Sequence, residues 1–111
     1  LDCFKNLSMK VLGVDASPNI VKKANENGIN TISGFFDKEI VNKIISKHGK
    51  ASVITATNLF AHIQNYDEFL KNLKQLLSVK GIFVFQVPHF LKLVKNREYD
   101  TIYHEHISYF V

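Results

Sequence analysis

Gly81-Ile82-Phe83-Val84-Phe85-Gln86-Val87 decides how the chain folds. Its β-branched and aromatic residues favour an extended strand, and Pro88 stops it because proline has no N–H to give to a ladder. The apolar residues run without polar alternation, so both faces of the strand are expected to be covered, as in a parallel sheet flanked by helices. Working outward, Ala51–Thr57 reads as a second strand, Ile29–Ile32 as a weaker one, and Val11-Leu12-Gly13-Val14, closed by Asp15, as another. Helical patterns separate them. Ser17-Pro18 offers an N-cap and a proline at the first helical position before Ile20, Val21 and Ala24, with Gly28 as the stop. Asp37 caps a helix whose apolar face is Ile40, Val41, Ile44 and Ile45 and which ends at Gly49. Asn65-Tyr66-Asp67-Glu68 fits a capping box before Phe69, Leu70, Leu73, Leu76 and Leu77. Leu1, Phe4 and Leu7 have the spacing of a helix tail without a preceding cap, and Phe90–Val94 extends the chain by a helical turn. Strands alternating with helices make this an α/β chain.

With 111 residues, 46% of them hydrophobic and 22% charged, the chain has room for one core and reads as ordinary globular sequence rather than disorder or coiled coil. No apolar stretch approaches the roughly 20 residues that cross a bilayer as a helix. With no signal-like segment and only Cys3, a cytoplasmic setting is expected. The formal net charge is +4, and all but Arg97 of the 14 basic residues are lysines scattered along helix faces. Nucleic-acid readout relies on arginine and on clustered charge, so no nucleic-acid partner is expected.

In parallel sheets ligands bind where strands end and loops turn into helices, which selects Asp15, Gly34-Phe35-Phe36, Thr57-Asn58-Leu59 and the residues after Val87. An acid in the position of Asp15 accepts both hydroxyls of a nucleoside ribose, or merely helps cap the helix that follows. The stretch Tyr99-Asp100-Thr101-Ile102-Tyr103-His104-Glu105-His106-Ile107-Ser108-Tyr109-Phe110 concentrates tyrosines, histidines and acids. As metal ligands His104 and His106 would need a strand to share a face, and a third ligand is missing, so no metal is expected. A polar surface strand over packed aromatics is one reading of the stretch. Acid/base chemistry is the other, since histidine titrates near neutrality and a neighbouring carboxylate fixes its tautomer. His48, in the last turn before Gly49, suits a helix carboxyl end, and His89 sits either in an exposed loop or at the same strand end as the site.

Val-Leu-Gly-Val-Asp with its Ser-Pro-Asn helix start, Asn58-Leu59-Phe60-Ala61-His62-Ile63, and above all Tyr-Asp-Thr-Ile-Tyr-His-Glu-His-Ile-Ser-Tyr-Phe resemble the S-adenosylmethionine-dependent C-methyltransferases of nucleotide-linked deoxysugars. The resemblance covers nearly the whole chain and only the middle of that family's pattern. It implies a Rossmann-like class I methyltransferase core with a largely parallel sheet. It also implies N-terminal truncation, with the first strand and its glycine-rich loop missing, and residues 98–111 opening the substrate and catalytic segment. Asp15 would hold the donor ribose, and Phe35 and Asn58 would line the donor pocket. His62 would face the reaction centre. His106 would be the general base that removes a proton beside a keto group of the sugar, with Tyr103 bonding a substrate oxygen and Glu105 orienting its neighbours. A nicotinamide-dependent dehydrogenase would also use Asp15 but leaves the Tyr-His-Glu-His run unexplained, and a non-catalytic interaction domain is the remaining alternative. In the implied strand order the missing strand lies between those ending at Asp15 and at Thr57. The expectation is therefore a sheet closed up across that gap, with these two strands side by side, or a homo-oligomer built there.

Overall fold

The computed structural model describes residues 1–111, with the side chain of Thr101 excepted. The chain forms two compact units, Leu1–Lys43 and Ile44–Val111, where its length predicts a single core.

The first unit opens with a five-residue helix, α1 (Asp2–Asn6), whose expected apolar face is not buried: Leu7 is 74% exposed. Strand β1 (Gly13–Asp15) pairs in parallel with β2 (Thr31–Ser33) across helix α2 (Pro18–Glu26). A Cβ on Gly13 would lie 2.7 Å from Thr31 Oγ1, so a larger residue there would have to displace the Thr31 side chain. Ser17 has the extended backbone of an N-cap and Pro18 opens the helix, but the Ser17 side chain makes no capping bond. Ile20, expected on the buried face, is 56% exposed, and Val21 carries the burial instead. The helix ends in a Schellman arrangement: Gly28 at φ +74° donates to Asn25 O, and Ile29 N–H donates to Ala24 O while its side chain is buried. That use of Ile29 explains why β2 starts two residues later than its apolar run. The Asn25 amide then clamps helix to strand, its Oδ1 accepting from Thr31 N–H and its Nδ2 donating to Thr31 O.

Helix α3 (Lys38–His48) begins where Asp37 Oδ1 accepts from Ile40 N–H at 2.8 Å, and it buries Val41 and Ile44. In the second unit β3 (Ala51–Thr57) leads through a 3-10 turn (Phe60–His62) to α4 (Tyr66–Leu76), β4 (Leu77–Gln86), α5 (Phe90–Asn96) and a second 3-10 turn (Tyr99–Thr101). Asn65 caps α4 by accepting from Glu68 N–H. The buried face of α4 is Phe69, Asn72, Leu73 and Leu76 at helical spacing, so Asn72 turns inward and Leu70 outward, the reverse of the hydrophobic pattern.

Strands β3 and β4 pair in parallel, Val53 to Thr57 opposite Ile82 to Gln86. The strand begins at Leu77, earlier than its apolar run, because Leu77 pairs with Ala51 before the register slips. Phe83 and Phe85 lie on one face with the rings of Phe60 and Phe69. On the other face Val53, Ile82 and Val84 are 38%, 56% and 52% exposed, and on the aromatic face Phe85 is 48% exposed, so the expected cover is incomplete on both sides among the described residues. Each strand pairs with its partner in its own strand–helix–strand unit, which gives two two-stranded parallel sheets. Among the described residues no helix is long and apolar enough to cross a membrane.

Candidate active site

Three expected site residues lie at or just past strand ends. In the first unit Asp15 is half-buried. Its Oδ1 accepts from Ser17 N–H at 2.8 Å and its main-chain oxygen accepts from Gly34 N–H at 3.0 Å. One carboxylate oxygen thus performs the turn-closing role that the capping reading assigns to it, and Oδ2 takes no part in that bond. Phe35, just past β2, is 76% exposed and offers an open aromatic face. In the second unit Asn58 takes φ +54°, a left-handed backbone that asparagine adopts more readily than most residues, and its N–H donates to Gln86 O at the end of β4.

The remaining candidates meet in the second unit. Tyr103 and His106 are the ends of a tight turn, closed by His106 N–H donating to Tyr103 O at 3.1 Å. That turn, rather than a strand, brings the two side chains together: Tyr103 Oη and His106 Nε2 are 2.9 Å apart, with ring centroids 4.1 Å apart. Immediately afterwards Ile107 and Ser108 both donate their N–H groups to Ala61 O, at 2.9 and 3.2 Å, which docks the segment on the Phe60–His62 turn. The docking sets His62 beside His106, ring centroids 4.9 Å apart, and places His62 Nδ1 2.7 Å from Glu105 O. A carbonyl only accepts, so His62 Nδ1 carries the hydrogen. Aromatic packing fixes the platform underneath: Phe60 contacts Phe110 and Tyr66, and the Tyr66 hydroxyl donates to Phe60 O.

Glu105 therefore touches His62 through its main chain, not through the carboxylate that the sequence reading invokes. His104 is exposed, and among the described residues no three His, Cys, Asp or Glu side chains gather as metal ligands would. His89 is an exposed residue at the start of α5 that bridges to Phe110. His48 lies in the last turn of α3. Two participants were not singled out from sequence. Ala61 acts through its main-chain oxygen, which no side-chain motif advertises. Tyr109 stands edge-on to His106 with its hydroxyl buried and without a hydrogen-bond partner, and its place in the aromatic run was the only available signal.

Comparison with known proteins gives two findings. A family model described as a methyltransferase domain matches residues 1–111. The C-methyltransferase NovU of Streptomyces niveus is 38% identical over 110 residues, a match that covers 99% of this chain and 26% of that protein. The chain thus spans about a quarter of the relative's length.

Proposed function

The chain belongs to the methyltransferase domain family, and from that premise we propose that it is the donor-binding and proton-abstracting part of an enzyme that methylates carbon beside a keto group of a nucleotide-linked sugar. The methyl donor is S-adenosylmethionine, whose positively charged sulfur makes its methyl electrophilic. The carboxylate of Asp15 suits the donor's ribose, because Oδ2 remains for hydroxyl hydrogens after Oδ1 has closed its turn. Phe35, past the carboxyl end of β2, and, separately in the second unit, Asn58, past that of β3, are proposed as donor-binding residues. Carbon is the acceptor named by the Streptomyces relative, and the family resemblance of the Tyr-His-Glu-His motif supports a sugar ketone as its bearer.

The single observation that carries the reading is the cluster of His62, Tyr103 and His106. A carbon acceptor must lose a proton before it can attack, so the site needs a base near neutrality and a donor to the oxygen on which negative charge grows. Two imidazoles and a phenol supply both. The family match gives the nicotinamide dehydrogenase reading no support.

The test uses the protein at its natural length. His106→Ala is expected to lower turnover about 100- to 10,000-fold while calorimetry finds donor affinity unchanged, because the group acts in the transition state. Turnover within a few-fold of wild type would remove the cluster from the chemistry.

A further inference from the structure

Among the described residues Ser8, Asn58 and Arg97 take a left-handed backbone without being glycine, and Arg97 is the chain's one arginine. It stands at φ +58° and ψ +37° just past α5, where the helix ends in a second Schellman arrangement: Arg97 N–H donates to Val94 O at 3.2 Å and Glu98 N–H to Leu93 O at 2.9 Å. Glycine adopts that backbone without steric cost and a residue with a Cβ does not, so arginine is kept here against the local preference. The helix end has no need of its charge. Main-chain amides already satisfy the carbonyls of Leu93 and Val94, and Lys95 supplies a cation to the last turn. The adjacent Glu98 carboxylate turns to the Asn96 amide, its Oε1 accepting from Nδ2 at 2.8 Å. Arg97 itself is exposed, as are Lys92 and Lys95 before it. From Arg97 the chain reaches Tyr103 of the site through tight turns, Tyr99 N–H donating to Arg97 O and Ile102 N–H to Tyr99 O, so the Cα atoms of Arg97 and Tyr103 lie within about 18 Å of each other. Two long side chains and a nucleotide-linked sugar between them bridge such a span.

We propose that Arg97 binds the diphosphate of the nucleotide-linked substrate, its guanidinium forking onto the phosphate oxygens. The proposal rests on the reading of the chain as part of an enzyme that acts on a nucleotide-linked sugar, and it names the residue that distinguishes such a sugar from a free one. The planar guanidinium presents paired N–H donors whose spacing matches two phosphate oxygens, a match that a lysine ammonium does not offer. Lys92 and Lys95 add positive charge on α5 that draws the anion in and is screened by salt. No bond forms or breaks at Arg97. It holds the nucleotide end while the chemistry proceeds at the sugar, so its loss is chiefly a loss of substrate binding.

The test is calorimetry on the protein at its natural length, with uridine diphosphate and thymidine diphosphate as probes. Arg97→Gly suits the left-handed backbone, so its Tm is expected to equal or exceed that of wild type while affinity for the diphosphates falls at least about tenfold. Arg97→Gln keeps a side chain at the same backbone angles and should lose as much affinity, whereas Arg97→Lys, a cation without the fork, should lose less. In turnover of a nucleotide-linked ketosugar the loss should appear in KM more than in kcat. Affinity for S-adenosylmethionine should not move; a fall there, with diphosphate binding intact, would assign the guanidinium to the donor's carboxylate and overturn the proposal. A lower Tm for Arg97→Gly with unchanged diphosphate affinity would also overturn it, by making Arg97 a helix cap. Wild-type protein that methylates a nucleotide-linked ketosugar with a KM unmoved by Arg97→Gln would defeat this proposal alone. Wild-type protein that neither binds a nucleoside diphosphate nor methylates such a sugar would defeat the underlying reading, and this role with it.

Discussion

The two faces of the β3–β4 sheet carry similar side chains and meet different fates. On one, Phe83 and Phe85 stack 5.3 Å apart and join Phe60 and Phe69 in a continuous ring cluster that extends through Phe60 to Tyr66 and Phe110. On the other, Val53, Ile82 and Val84 present aliphatic groups with at least 38% exposure each. The strand composition serves two covered faces, and the described residues pack rings around Phe83 on the aromatic one while leaving Phe85 48% exposed. Stability and site geometry therefore depend on the same face, since Phe60 is both a core ring and the start of the turn that bears Ala61 and His62.

Three substitutions would break or sharpen this contrast. The largest effect is expected for Phe60→Ala, which removes a ring in contact with five others; it should cost about 3 kcal/mol, the low end for phenylalanine truncation because the ring is half-buried. Urea denaturation would measure the loss, and the NMR signals of His62 and His106 should shift with it. Gly81→Ala is intermediate. A Cβ there would lie 2.9 Å from Ala51 O and 3.0 Å from Ser78 O, main-chain atoms that yield only by moving the strand, so about 1–3 kcal/mol should be lost. The smallest effect is expected for Ile82→Thr on the open face, within about 0.5 kcal/mol in the isolated chain. An Ile82→Thr penalty as large as that of Phe60→Ala would show that the open face is covered in solution.

Much of this was legible because it is local. Ala51–Thr57 is a strand over its whole predicted length, Asp37 and Asn65 cap the helices they precede, and Gly28 ends α2, since each depends on residues a few places away. The openness of the second face was not legible, because a strand's composition records what it can bury and not what is available to cover it. The exchange of Leu70 for Asn72 on α4 is of the same kind: packing chose a rotation that hydrophobicity alone does not favour. In the candidate site the motif announced its residue types, yet the pairing of Tyr103 with His106 comes from a turn with no glycine, proline or asparagine to signal it. The contact between His62 and Glu105 joins residues 43 positions apart, through a carbonyl that every residue possesses.

The two amides that Ala61 O receives from Ile107 and Ser108 have a consequence for the order of assembly. They close a loop that contains α4, β4 and α5, so their entropy cost is lowest once those elements have formed and brought the ends of the loop together. The cluster of His62, Tyr103 and His106 is therefore a late product of folding. By the same reasoning it is an early casualty of unfolding, because the segment can peel from Ala61 while the β3–β4 ladder stays intact. Amide exchange at Ile107 and Ser108 would then run ahead of exchange in β4, and the chemistry would be lost before the fold is.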